Sequence, residues 1–319
     1  MRKTIILSAI VIGIYLNNAS WIRDVPKGEL ELLAHRGVHQ TYSSLNLTRD
    51  ECTATRIDPP QHEFLENTIE SIARSFDYGA NIVEIDIHPT TDGRFAVFHD
   101  WTLDCRTEGK GVTRKHSLEY LQTLDIGYGY TSDGGKSHPF RGKGTGKLPS
   151  LTEVLDNFPQ QRFLINIKSN SIGEADLVVE FLKNRVSEDL SRLWFYGGNK
   201  PTSRLLAITP ELKGFTKASV KRCAIQYELI GWTGYVPKVC RNTIIAMPMS
   251  YAPYFWGWPI AFSNRMASVN TDIILVDINE GHMDGFDNRE TIFALSKDYR
   301  GVVWTEKIEQ VGSIKHSTK

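Results

Sequence analysis

The chain has 319 residues, 41% of them hydrophobic and 23% charged. This is a globular composition, which excludes a fibrous or wholly disordered protein, and the length allows two average domains or one α/β barrel with insertions. Its 37 basic and 37 acidic residues cancel, so no overall field draws the chain to nucleic acid, and that class of partner is set aside.

Arg2 and Lys3 precede a run from Thr4 to Leu16 that is apolar apart from Thr4, Ser8 and Gly13. A basic start followed by such a run reads as an export signal or an N-terminal anchor. Asn17 and Asn18 occupy positions where small residues are wanted before a cut after Ala19 or Ser20. An uncleaved anchor over residues 1–23 is therefore preferred to secretion after cleavage. Extended through Trp21 and Ile22, the run is roughly a bilayer span. Its basic end would stay in the cytoplasm and the remainder would face the periplasm or cell envelope. Residues 24–313 are expected to form the body of the protein, and 314–319 a polar tail. The four cysteines form no CxxC, which argues against a zinc knuckle. In an exported chain they permit disulfides, and neighbouring loops favour Cys52 with Cys105 and Cys223 with Cys240.

Beyond this segment, "ELLAH" (31–35) reads as a strand and "ENTIESIARSFDYGA" (66–80) as a helix, with Ile69, Ile72, Ala73 and Phe76 at helical spacing. "NIVEIDI" (81–87) and "FAVFHD" (95–100) follow as strands joined through a turn at Asp92-Gly93. Residues 127–146 hold seven glycines in twenty and read as a mobile loop. "GGKS" (134–137) within it is no P-loop, because Tyr130 stands where that motif needs glycine. "SLTEVLDNF" (150–158) is a helix, with Ser150 at its N-cap and Glu153 completing a capping box. "RFLINIK" (162–168) is a strand and 174–193 a long amphipathic helix. Further strands are expected at 193–198, 243–249, 272–278 and 301–306, with helices near 216–230, 258–269 and 288–297 between most of them. Within this stretch "YAPYFWGWPIAF" (251–262) carries six aromatics, which suit either packing around a rim or a lip against lipid.

About eight strands alternating with helices imply a parallel sheet. In this length they fit a closed (β/α)8 TIM-type barrel better than an open sheet. Function in such a barrel lies at the C-terminal strand ends. Those ends are polar here. His35 and Arg36 close the first strand. Glu84, Asp86 and His88 share one face of the second, since side chains alternate along a strand. His99 and Asp100 close the third, Asn166 and Lys168 share a face of the fourth, and Asp277 and Asn279 end the seventh. Adjacent buried anions such as Glu84 and Asp86 repel and lose hydration. A divalent cation, Mg²⁺ or Ca²⁺, would compensate them. Arg36, Lys168 and that cation suit a phosphate, and His35 with His99 suits proton transfer. Together they describe metal-assisted phosphodiester cleavage.

The ordered series "AHRG" (34–37), "ENTIES" (66–71), "GANIVEIDIHPTTDGRFAVFHD" (79–100), "LPSLTEVL" (148–155) and the strand ending in Lys168 resembles the glycerophosphodiester phosphodiesterases. The resemblance covers roughly 33–170 and continues weakly to "GVVWTEKIE" (301–309). It implies a (β/α)8 barrel that hydrolyses glycerophosphodiesters to an alcohol and glycerol 3-phosphate. By motif position it implies His35 and His99 as the acid/base pair and Arg36 as a phosphate contact. It further implies Glu84 and Asp86 as metal ligands, with Glu66 in or just behind the metal shell. One residue departs from the family pattern: Asn166 stands where a third carboxylate ligand is usual. An amide oxygen can coordinate but brings no charge, so affinity should fall and Ca²⁺ be favoured. Two other readings stand beside this one, phospholipase D-like action on lysophospholipids and a non-catalytic barrel that binds a phosphorylated ligand.

Overall fold

The computed structural model describes residues 2–43, 47, 51–183, 185, 190–279 and 282–315. The strands, in chain order, are β1 (Glu31–Ala34), β2 (Ile82–Pro89), β3 (Phe95–Val97), β4 (Arg162–Ile167), β5 (Leu193–Gly197) and β6 (Lys213–Gly214). They continue with β7 (Ile244–Pro248), β8 (Asp272–Asn279), β9 (His282–Asp284) and β10 (Val302–Thr305). The chain forms two compact units, one of residues 32–214 with 305–319 and the other of residues 1–31 with 215–304.

In the first unit β6, β5, β4, β2 and β1 lie side by side in that order, every pair parallel. Parallel strands carry helices on their faces and are buried throughout, so they need apolar residues at nearly every position. β2 meets that demand with Ile82, Val83, Ile85 and Ile87, all fully buried, yet Glu84, Asp86 and His88 are buried too. The register sets Asp86 beside Asn166 and Asn166 beside Tyr196 across three adjacent strands. Directly opposed residues project to the same face, so these three side chains form one row. Helix Ile69–Asp77 opens on Thr68, whose side chain accepts from the Ser71 amide. Helix Leu151–Asn157 opens on the expected capping box of Ser150 and Glu153.

The segment 95–100 departs from expectation. β3 runs antiparallel to the end of β2, as the return arm of a hairpin. The fifth parallel strand of this unit is instead β6, two residues long, and too short to show any period. The glycine-rich loop is also more ordered than its composition suggests. Tyr130 and Phe140 are buried in a cluster with Leu103, Leu118 and Leu148. The Asp125 carboxylate accepts from the amides of Gly127 and Gly144, both at 2.9 Å. The expected long helix 174–193 is Glu174–Leu182; positions 184 and 186–189 of that stretch lie outside the described residues. Cys52 and Cys105 are disulfide-bonded in this unit.

The second unit holds β10, β8 and β7 in parallel, with β9 antiparallel on β8. Cys223 and Cys240 are disulfide-bonded within it. The N-terminal helix is Arg2–Asn18, 17 residues. It stops short of Trp21 and Ile22, which both fall in a 3₁₀ turn, Ser20–Ile22. Among the described residues no helix is long and apolar enough to cross a membrane. The helix ends where polar groups fasten it. Asn18 Nδ2 donates to the Trp232 carbonyl at 2.9 Å, Arg265 Nη1 to Asn18 Oδ1 at 2.9 Å, and Ser20 Oγ to the Gly257 carbonyl at 2.9 Å. The aromatic segment 251–262 divides. Phe255 and Phe262 pack on Tyr227 in the core, whereas Tyr251, Tyr254 and Trp256 are exposed.

Candidate active site

The side chains that come together lie in the first unit, around the C-terminal ends of its strands. β1 ends at Ala34, and the next two residues are His35 and Arg36. Arg36 has φ +54°, the left-handed region. Gly37 follows at φ +80°, and a Cβ there would lie 2.1 Å from Ser71 Oγ. This tight turn lets helix Ile69–Asp77 approach and turns the Arg36 guanidinium back over the strands. Arg36 Nη1 donates to Glu66 Oε1 at 3.2 Å, and its Nε lies 3.6 Å from Asp86 Oδ2. Glu66 also meets Arg106 Nη1 at 2.9 Å. Burial would raise the Glu66 pKa, but Arg106 and then Arg36 hold it down at about 2. Glu66 is thus engaged by two guanidiniums and orients Arg36.

Glu84 and Asp86 face the same space with opposite electrostatics. Asp86 is fully buried but surrounded by donors. Asn67 Nδ2 gives to Oδ2 at 3.0 Å and Asn166 Nδ2 to Oδ1 at 2.9 Å, with Lys168 Nζ 3.3 Å from Oδ1. Burial alone would raise its pKa; Lys168, His99 and Arg36 hold it far below the usual carboxylate range. Glu84 lacks such company. Tyr196 Oη donates to its Oε1 at 2.7 Å, but Oε2 is buried and accepts no hydrogen bond. Burial first, then Asp86, push the Glu84 pKa well up. An orphaned, buried carboxylate oxygen beside a second carboxylate is the donor set a divalent cation requires. Glu84 and Asp86 therefore fit a cation. Asn166 fits it only with its amide turned, because the NH₂ end now faces Asp86. Gly197, at φ +116°, leaves room for that amide; a Cβ there would lie 2.5 Å from Asn166 Oδ1.

Both histidines reach this cluster. His35 Nε2 lies 3.8 Å from Glu84 Oε2 and accepts from Arg36 Nε at 3.1 Å. Its Nδ1 meets Glu306 Oε2 at 2.5 Å. Burial, opposed by Glu306 and aided by Arg36, lowers its pKa to about 4. His99 Nδ1 bonds Asp100 Oδ1 at 2.8 Å, and Arg106 Nε backs Asp100 from its other oxygen at 3.0 Å. Burial, Arg36 and Lys168 lower the His99 pKa. His88 shares the face of Glu84 and Asp86 but turns away. Its ring contacts Arg114 at 3.3 Å and the His99 carbonyl at 3.4 Å, and burial followed by Arg114 lowers its pKa to about 3. Asp277, in the other unit, accepts from its neighbour Ile278; the side chain of Asn279 lies outside the described residues.

The structure thus brings together His35, Arg36, Glu66, Glu84, Asp86, His99, Asn166 and Lys168. Sequence reasoning missed Asn67, Tyr196, His39 and Glu306. Asn67 stands inside the quoted "ENT", holding both the Asp86 carboxylate and the Asp86 amide, the latter at 3.2 Å. Tyr196 and Glu306 sit at strand ends, where the rule that found the others would have found them. His39 carries no local signal.

The model of the glycerophosphoryl diester phosphodiesterase family matches residues 35–223. A glycerophosphodiester phosphodiesterase of Caldanaerobacter subterraneus is 34% identical over 106 residues, 33% of this chain and 40% of that protein. The chain spans less than half the length of the curated relatives that it matches first. Among solved structures, the glycerophosphoryl diester phosphodiesterase domain of a Mycobacterium tuberculosis protein superposes with TM-score 0.63 at 13% identity, covering 91% of this chain and all of that one. An Oleispira antarctica phosphodiesterase in complex with its product sn-glycerol-3-phosphate gives 0.58 at 18% identity, covering 90% of this chain and 96% of that one. These likenesses over nine-tenths of the sequence give the fold, a TIM-type barrel. With its family model matched over well more than half of its residues, the chain belongs to the glycerophosphoryl diester phosphodiesterase family.

Proposed function

We propose that this protein is a phosphoric diester hydrolase that cleaves glycerophosphodiesters to an alcohol and sn-glycerol 3-phosphate, with one divalent cation, Ca²⁺ or Mg²⁺. The observation that carries the reading is the orphaned Glu84 oxygen among two phosphate-binding cations and two histidines. The charges support it. With Glu84 ionised, as a bound cation would require, five buried or half-buried carboxylates (Glu66, Glu84, Asp86, Asp100, Glu306) face four cations (Arg36, Arg106, Lys168 and a protonated His39), leaving one negative charge in excess. A divalent cation and a singly charged diester together neutralise it. Glu84 and Asp86 would hold the cation, with the Asn166 oxygen once its amide turns. The cation supplies Lewis-acid polarisation of the phosphoryl oxygens.

Arg36 and Lys168 would bind the phosphate. Pinned by Glu66, the Arg36 guanidinium keeps its fork geometry, which suits phosphate oxygens. His35, neutral and with a lone pair on Nε2, takes the proton from the attacking oxygen, either water in a direct displacement or the glycerol 2-hydroxyl, which gives a cyclic phosphate that water then opens to glycerol 3-phosphate. His99, oriented through Nδ1 by Asp100, gives its Nε2 proton to the departing alkoxide. The incoming phosphate charge offsets Arg36 and Lys168, the two cations that add to burial in depressing His99, and so favours its protonated form.

We further propose that the helix Arg2–Asn18 docks the protein on a membrane, with the body on the envelope or periplasmic side. Ile5, Ile6 and Leu7, successive residues that point to different sides of the helix, are 63%, 59% and 62% exposed, and Trp21 at its foot is 71% exposed. Apolar residues all round suit lipid rather than a one-sided protein contact. Two disulfides suit an oxidising compartment.

The test follows glycerol 3-phosphate release by the full chain from glycerophosphocholine and glycerophosphoethanolamine, and choline release from micellar lysophosphatidylcholine, with Ca²⁺, Mg²⁺ or EDTA. Cation-dependent release is expected, with His35→Ala and His99→Ala each slower by roughly 10²–10⁴-fold. Near-normal rates in both variants would overturn the acid/base assignment. Turnover of lysolipid alone would move the substrate to that class, and no turnover with any cation would leave a binding protein.

A further inference from the structure

We infer that Glu306, braced by His39, is a positioning residue that fixes the ring of His35 with its Nε2 lone pair turned into the site. The inference rests on the reading of His35 as the proton acceptor.

The argument begins with donors and acceptors. Glu306 Oε2 lies 2.5 Å from His35 Nδ1 and 3.1 Å from His39 Nε2. A carboxylate only accepts, so each of those ring nitrogens carries a proton. On the other side of His35, Nε2 accepts from Arg36 Nε at 3.1 Å. The tautomer is therefore set from both edges: hydrogen on Nδ1, lone pair on Nε2. His39 Nδ1 faces the Gln40 carbonyl at 3.0 Å, a second acceptor. Both nitrogens of His39 are donors, and the ring is a cation buried against Glu306. Gln40, which supplies that carbonyl, is held in turn, because its Nε2 donates to the carbonyls of His62 and Phe64 at 3.0 and 2.8 Å.

The backbone delivers Glu306 to this place. The His35 amide donates to the Thr305 carbonyl at 3.0 Å, so the residue after Thr305 must emerge beside His35. The Lys307 amide then bonds Thr305 Oγ1 at 3.0 Å and turns the chain away.

The same device holds the other histidine with different parts. Asp100 meets His99 Nδ1, and Arg106 braces Asp100. In both cases a carboxylate backed by a cation takes Nδ1–H, which makes Nε2 the nitrogen that does the chemistry; the lone pair of His35 Nε2 holds the Arg36 Nε–H until a substrate hydroxyl displaces it. The pair His99-Asp100 is adjacent in sequence, whereas Glu306 lies 271 positions from His35. The competing reading is a metal centre, since the ligand atoms of His35, His39 and Glu306 lie within 4.8 Å of one another. The hydrogen-bond reading is preferred because every ring nitrogen in the trio already has a partner of the right kind.

Three measurements on the full chain test this. In ¹⁵N-histidine spectra of the unaltered protein, the signal lost in His35→Gln should show a protonated Nδ1 and an unprotonated Nε2. The opposite tautomer would overturn the proposal without any need for a Glu306 variant to fold. In kinetics with glycerophosphocholine, Glu306→Ala should lower kcat at least tenfold with KM within about threefold, and Glu306→Gln, which keeps an acceptor, should recover part of the loss. Introduced into His35→Ala, Glu306→Ala should change the residual rate little, because residues acting as a unit are not additive. A full additional loss in that background would mark Glu306 as merely structural and overturn the proposal. So would one equivalent of zinc in the protein that Glu306→Ala releases. Normal turnover by His35→Ala alone would instead sink the underlying reading of His35, and is read separately.

Discussion

Asn166 is the residue on which the metal question turns. It could be singled out from sequence because strand alternation puts it on one face with Lys168, and its neighbours on β2 obey the same period. What it does was not legible there. Its amide donates to Asp86 at 2.9 Å, a bond that depends on the register between two strands 80 positions apart. The consequence is a prediction. Asn166→Glu puts a carboxylate against Asp86 in a buried row, and without a cation that pair should cost about 3 kcal/mol. With a cation the new carboxylate is a better ligand than an amide. Thermal melts should therefore show Asn166→Glu less stable than the parent in EDTA and more strongly raised by Ca²⁺ or Mg²⁺. An identical metal-induced shift in the two proteins would put Asn166 outside the metal shell. Glu306, His39, Tyr196 and Asn67 show the limit of the method at this scale. Each acts through a partner distant in sequence, and nothing in the flanking residues declares the pairing.

Elements were legible in proportion to their length and period. β2 and β4 carry long alternating or apolar runs, and their positions agree with expectation to within about two residues, the usual uncertainty of element ends. β3 has the same alternation but runs the other way, because period alone carries no direction. β6, Lys213–Gly214, has no pattern to read. The turn after β1 was legible as "HRG" only through the family resemblance; its physical reason is spatial. Gly37 sits at φ +80° with Ser71 Oγ 2.1 Å from where a Cβ would be, and backbone atoms of Ser71 and Ile72 at 3.0 and 3.2 Å. A side chain there must push helix Ile69–Asp77 away from the strand and pay for the left-handed backbone as well. Gly37→Ala should then lose about 2–4 kcal/mol of stability in denaturant titration. Because Arg36 and Asn67 flank the same turn, activity should fall further than stability does under conditions where the variant remains folded. Unchanged stability would mean that the turn relaxes without loss.

On the scale of the molecule, zero net charge leaves membrane association to apolar contact, and this makes a sharp distinction available. Electrostatic attachment is screened by salt; burial of aliphatic side chains is not weakened by it. The full chain should co-sediment with phospholipid vesicles, remain bound in about 1 M salt and be released by detergent. The deletion that tests the helix has to respect how the helix ends. Asn17, Asn18 and Ser20 hold residues 231–265 through hydrogen bonds to Trp232, Arg265 and Gly257. Removing residues 1–23 would cut that latch and confuse loss of anchoring with damage to the unit. Removing 2–16 spares it, and that variant should stay in the supernatant while keeping its turnover of soluble glycerophosphocholine. Retention on vesicles after this deletion would transfer the anchoring role to the exposed aromatics, Trp21, Tyr254 and Trp256 among them. Elution of the full chain by salt would mean that Lys3 and other surface cations, rather than the aliphatic helix, hold the protein to lipid.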